Sequence, residues 1–155
     1  MMRVVIFALV AFGALAACAD PTTSQTLPGE TITIDTHHGP RVFTVEIAAD
    51  MKSQERGLMF RRQMDPDAGM IFVFYPPQMV SFWMKNTFIP LDLIFVRADG
   101  TISSISANAA PLSETSIPSA EPVRAVIEIN GGRAQALGVG PGDRVHAPQF
   151  TVAAQ

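Results

Sequence analysis

Cysteine, charge and basic runs are what this chain has least of. Cys18 is the one cysteine in 155 residues, and it lies in the N-terminal segment. Beyond that segment there is no thiol, so a disulfide, a thiol nucleophile and a thiolate metal site are excluded from the folded part. Charged residues make up 16% of the chain, against about 25% in an average soluble domain. The 11 basic residues face 14 acidic ones and form no basic run or basic helix. That argues against a nucleic-acid partner. No His-Glu-x-x-His string, phosphate-binding loop, Gly-x-Gly-x-x-Gly turn or Gly-x-Ser-x-Gly elbow occurs, so no metal or cofactor is expected on sequence grounds. The longest early apolar run, Val4 to Ala17, falls short of the about 20 residues a membrane-spanning helix needs.

That run has another use. Arg3 precedes it, and small residues and then a polar Pro/Thr/Ser stretch follow, which is the order of a secretory signal peptide over residues 1–19. Leu15-Ala16-Ala17-Cys18 resembles a bacterial lipobox, in which the cysteine becomes the lipidated first residue. The alternative is cleavage after the small-x-small site Ala17-Cys18-Ala19, which discards the cysteine. The expectation is an exported protein, periplasmic or held on the outer membrane by acyl chains, with secretion as the alternative. Removing the segment with Arg3 leaves 10 basic against 14 acidic residues, a net charge of −4. Residues 20–30 are polar with two prolines and read as a flexible tether.

Residues 31–152 read as one β-rich domain. Thr31–Thr36 and Arg41–Ile47 alternate and are separated by His37-His38-Gly39-Pro40, a β-hairpin pattern. The two histidines are adjacent, point to opposite faces and read as solvated turn residues. Asp50 is an N-cap for a short helix from Met51 to Leu58. Met70–Tyr75, Ser81–Lys85, Leu91–Val96, Thr101–Ala107 and Arg124–Asn130 read as strands. Ala109–Pro122, with three prolines, reads as a long loop. A short helix over Arg133–Leu137 and a last strand over Arg144–Phe150 complete the chain. Seven or eight short strands with two short helices predict a mostly β single domain, an antiparallel sandwich or barrel.

The stretch from Gly69 to Val96 carries the only Trp and the only Tyr, with Lys85, Asn86 and Thr87 set among apolar residues. Alternation puts Phe82 and Met84 on one face, and Trp83 and Lys85 on the other. An aromatic plate beside a cation and an amide suits a sugar or a peptide. Asp92 sits among apolar residues and needs a partner if buried. The bland alternative is structural: Lys85–Asp92 and Arg56–Glu128 as ion pairs, and Asn86-Thr87 as a turn that caps backbone groups. Arg56, Arg61 and Arg62 form a small basic cluster, either a solvated helix end or an anion contact. Asp92 and Glu128 are the carboxylates available to a glycosidase-type pair. Met59, Met64, Met70, Met79 and Met84 offer soft thioethers for Cu(I), or simply fill core gaps.

Arg56-Gly57-Leu58-Met59 with Arg61, Gly69 to Phe74, Phe82-Trp83-Met84-Lys85-Asn86-Thr87, and Ile89-Pro90-Leu91-Asp92 together resemble the domain-of-unknown-function family number 192. Val126 to Gly132 and Gly142-Asp143 resemble its C-terminal signature. The resemblance spans about Ile32 to Val145. It implies a jelly-roll-like β fold with small helices at its side, and it brings no assigned catalytic residue. The functional expectation is a cell-envelope module that binds a carbohydrate, a peptide or a protein partner through Trp83, Lys85, Asn86, Thr87, Asp92, Arg56 and Glu128, with the Ala109–Pro122 loop as a rim. A hydrolase or lyase using Asp92 and Glu128, and copper handling by methionines, are the alternatives.

Overall fold

The computed structural model describes residues 27–151. The signal segment, Cys18 and the tether as far as residue 26 lie outside the described residues.

Strands β1 (Gly29–Thr36) and β2 (Gly39–Ala48) pair antiparallel around exposed His37 and His38. Thr36 closes the turn: its hydroxyl donates to the Gly39 carbonyl at 2.8 Å and accepts from the His38 N–H at 3.1 Å. Alternation sends Ile32, Ile34, Phe43 and Val45 inward. Helix α1 (Met51–Arg56) starts at a full capping box, Ser53 N–H to Asp50 Oδ1 at 2.9 Å and Asp50 N–H to Ser53 Oγ at 3.2 Å. It ends two residues before the expected Leu58. Gly57, at φ 46° and ψ −136°, turns the chain there, and a Cβ at Gly57 would lie 3.2 Å from the Phe72 ring. Leu58 then drops into the core.

The crossover through α1 lets β3 (Ala68–Gln78) run parallel to β2. An all-antiparallel sheet was the expectation; the link from Ala49 to Asp67 exceeds the dozen or so residues that a parallel connection needs. Then follow β4 (Ser81–Phe82), β5 (Leu91–Val96), β6 (Ile102–Ala109), β7 (Ile117–Pro118), β8 (Val123–Asn130), α2 (Arg133–Leu137), β9 (Arg144–His146) and α3 (Pro148–Thr151). The expected last strand stops at His146. Pro148 has no N–H for a ladder, and the chain turns into a third short helix instead.

Seven strands form one mixed sheet in the order β6-β5-β8-β3-β2-β1-β9. It curls into a half-barrel, and its two edges meet at one end. Thr101 bridges Arg144 there, and Ile102 N–H donates to the Asp143 carbonyl at 2.9 Å. The concave side holds one core, with Ile71, Ile94, Ile127 and Ile129 at its centre and Ala134 and Val139 over its end. The convex side of β3, β8 and β5 holds a second core: Met70, Phe72, Phe74, Leu91, Leu93, Phe95 and Val126. Its cover is α1 with Leu58, the 79–89 segment, and the small β4–β7 sheet that pairs Phe82 with Ile117. The expected mostly β architecture thus takes the form of a half-barrel with a covered outer face.

Candidate functional site

Glu128 lies at the middle of the convex face. On β8 it stands opposite Met70 of β3 on one side and Leu93 of β5 on the other. Gly69 permits this close pairing, because a Cβ there would run into the Glu128 backbone carbonyl. The Glu128 residue is 4% exposed. No hydrogen bond or ion pair reaches its carboxyl from the described residues. Burial is the sole cause acting on its titration, and it pushes the pKa from the ordinary 4.5 up to about 8. An uncompensated buried carboxyl holds its proton because the charged form has lost its water.

The cover over this face does not fill it. A cavity of about 620 Å³ remains between the sheet and its lid, and Glu128 lines it. Phe72 and Phe74 form the sheet side, and Val80, Phe82, Trp83 and Thr87 the lid side. Gln54 to Met59 supply the remaining wall. Phe82 stands edge-on to Phe72, with ring centroids 5.0 Å apart, and to Phe95 at 6.4 Å. These contacts fix one wall. Gln54 fixes another: its amide donates to the Ala48 and Val73 carbonyls at 3.3 and 2.9 Å, tying α1 to β2 and β3.

The expected site residues separate. Arg56, Trp83, Thr87 and Glu128 meet in the cavity. Trp83 is 49% exposed, and Lys85 Nζ sits 5.0 Å over its ring, outside the cavity lining. Thr87 is buried and its hydroxyl donates to the Lys85 carbonyl at 3.3 Å. The alternation of Phe82 and Met84 inward against Trp83 outward holds, although the strand itself ends at Phe82. From there the chain turns: Asn86 adopts φ 56°. The Asn86 carbonyl accepts the Phe60 N–H at 2.8 Å and its side-chain amide lies 3.9 Å from the Met59 sulfur. Asn86 thus holds two loops together at the edge of the site.

Asp92 points the other way. It pairs with Ile129 while its neighbour Leu93 pairs with Glu128, so the two carboxylates face opposite sides of the sheet. Asp92 is 0% exposed and accepts three backbone N–H bonds, from Asn108 at 2.7 Å, Gly132 at 2.9 Å and Ala134 at 2.8 Å. A glycosidase-type pair of Asp92 with Glu128 is therefore not assembled. Neither Lys85–Asp92 nor Arg56–Glu128 forms an ion pair among the described residues. The pair that does form under the lid is Arg61–Glu46 at 2.6 Å, both side chains mostly buried. It takes Arg61 out of the basic cluster, while Arg62 lies 5.1 Å over the Phe88 ring. The methionines scatter: Met70 and Met84 are core, Met59 is cavity wall and Met79 is exposed. Among the described residues no group of three or more His, Cys, Asp or Glu converges as a metal site.

The profile of the family DUF192, described as "Uncharacterized ACR", matches residues 32–147. The chain belongs to domain-of-unknown-function family 192. That match reaches from β1 to the end of β9 and so includes every cavity residue named above. Two crystal structures resemble this member of family 192 closely. One is a Sinorhizobium meliloti 1021 protein provisionally described as a transcription regulator, at 46% identity and TM-score 0.77, covering 80% of this chain and 97% of that one. The other is a protein of unknown function from Novosphingobium aromaticivorans DSM 12444, at 43% identity and TM-score 0.78, covering 89% of this chain and 100% of that one. No curated protein matches the chain.

Proposed function

We propose that this family-192 protein is an exported, lipid-anchored module of the cell envelope that binds a small carbohydrate or peptide ligand in the Glu128 cavity. One observation carries the reading: an aromatic-walled cavity of about 620 Å³ that has on its sheet side a buried carboxyl with no partner among the described residues, and on its lid side the half-exposed Trp83. That size falls within the roughly 300–1,000 Å³ of small-molecule sites, which are mostly apolar with a few placed polar groups. Only one acid–base candidate lines the cavity on the sheet, and Asp92 is absent from it. Binding is the simpler use of such a site. The regulator role given to the Sinorhizobium protein has no electrostatic support here, since this chain has a net charge of −3 and nucleic-acid binding rests on cationic surface.

Trp83 is the sole tryptophan, so its fluorescence reports on the site alone. Titration with envelope glycan fragments and short peptides is expected to give a saturable change. Ser81→Phe, at an exposed lining position, should weaken it at least about tenfold by occupying the mouth. A flat response across both panels would overturn the reading. The anchor has its own measurement: mass spectrometry of the mature N-terminus should find an acylated Cys18, and an unmodified terminus at Asp20 would remove it.

A further inference from the structure

We propose that the ligand carries a protonated amine and that this amine seats against the Glu128 carboxylate, so that the cavity takes an amino-acid-like or peptide ligand. This rests on the ligand-binding reading above and narrows it to one of its two ligand classes.

Most neutral polar side chains of the wall are already committed. Gln54 spends its amide on the Ala48 and Val73 carbonyls. Ser81 Oγ lies 2.7 Å from Ser116 Oγ. Thr87 donates to the Lys85 carbonyl. Besides the Trp83 indole N–H and Gln54 Oε1, what remains along the wall is charged: Glu128 on the sheet, with exposed Glu55 and Arg56 at the end of α1. A sugar is held by several neutral donors and acceptors spread around it, and here most of the neutral side-chain groups are already engaged. A single buried carboxyl in an aromatic enclosure suits a cation. An ammonium supplies the missing counter-charge and three donors for the carboxylate oxygens. Phe72 and Phe82 line the same cavity, and an ammonium over either ring face would gain further. Arg56 forms no ion pair among the described residues. It can meet an anionic group of the same ligand, which is the layout a zwitterion needs.

Charge state gives the test its sign. Without ligand, burial keeps Glu128 largely protonated below about pH 8. The other charged groups near it are Glu55 and Arg56 from α1, Lys85 on Trp83, and the Glu46–Arg61 pair one strand beyond Met70. Met70 and Leu93, its strand neighbours, do not titrate, and no histidine lines the cavity. Ammonium binding selects the carboxylate and releases a proton. Affinity for an amine should therefore rise about tenfold per pH unit from pH 6 towards 8 and then level off.

Calorimetry on the whole protein with phenethylamine, its neutral isostere phenethyl alcohol, the dipeptide Ala-Phe and a neutral glycan fragment tests this. The expected result is binding of the amine and the dipeptide, with that pH dependence and proton release, and no binding of the alcohol. Glu128→Gln should weaken the amine at least about thirtyfold. Arg56→Gln should weaken the dipeptide while leaving the amine unchanged. Binding of the alcohol or the glycan as tightly as the amine, with affinity flat or falling from pH 6 to 8, would overturn the amine proposal and leave the ligand-binding reading standing. Absence of binding by every probe would remove both. The pH series and the isostere pair use wild-type protein, so a folding defect in either variant leaves the decision intact.

Discussion

Four carboxylates are buried among the described residues, and they meet burial differently. Asp143 takes the Gly140 N–H at 2.8 Å. Asp92 is surrounded by three backbone N–H groups. Glu46 takes Arg61 and the Leu27 N–H, the latter at 3.0 Å. Glu128 takes nothing from the described residues and holds its proton instead. The consequence for stability has a definite sign. The folded pKa of about 8 lies above the ordinary 4.5, so the folded state binds more protons than the unfolded one between those values. Stability is then full below about pH 4.5 and is lost as pH rises towards 8 and through it. At about 1.4 kcal/mol per unit, the loss reaches at most about 5 kcal/mol. Urea denaturation of wild type from pH 5 to 9 should show this decline, and Glu128→Gln, neutral throughout, should remove most of it. Parallel pH profiles for the two proteins would mean that Glu128 finds a partner in solution.

At the scale of elements, Asp92 is a junction. It sits on β5, and its three donors come from the end of β6, the turn after β8 and the first turn of α2. A helix of five residues has no stability of its own; α2 stands because its first N–H groups have an acceptor. Asp92→Ala should therefore cost about 3–5 kcal/mol, since it leaves several buried donors unmet. A shift in urea midpoint worth less than about 1 kcal/mol would show that water replaces the carboxylate. The same residue shows how far sequence reaches. The need for a partner is legible from an acid between leucines. The partners are not, because they are main chain 16, 40 and 42 residues further on, and main chain carries no sequence label. Strand β5 and helix α2 match their expected bounds because Pro90, a short apolar run and flanking glycines are local signals. The parallel β2–β3 pairing and the early end of α1 are decided by packing, at Gly57 against Phe72 above all.

For the molecule as a whole, the two cores are unequal, and the site lies in the weaker one. The concave core is lined by the seven-stranded sheet, and β8 near its centre pairs with β3 on one side and β5 on the other over Ala125 to Ile129. The convex core is closed by a sheet of two residues per strand and by loop contacts, among them Ser119 N–H to the Val80 carbonyl at 2.9 Å and Met84 N–H to the Ser113 carbonyl at 2.8 Å. Trp83 and Arg56 line the cavity, and the sequence singles them out as an aromatic plate beside a cation and as part of a basic cluster. That Glu128 shares their cavity depends on the register of β8 against β3, a long-range fact. Few backbone bonds hold the lid, so it should open without the barrel unfolding. In native-state hydrogen exchange, the Ser119 and Met84 amides should exchange at least about a hundredfold faster than those of Val126 to Glu128, which wait for global unfolding. A ligand in the cavity touches lid and sheet at once, so it should slow the lid amides selectively. Lid amides as slow as those of β8 would mean that the lid is held as firmly as the sheet and does not open independently of it.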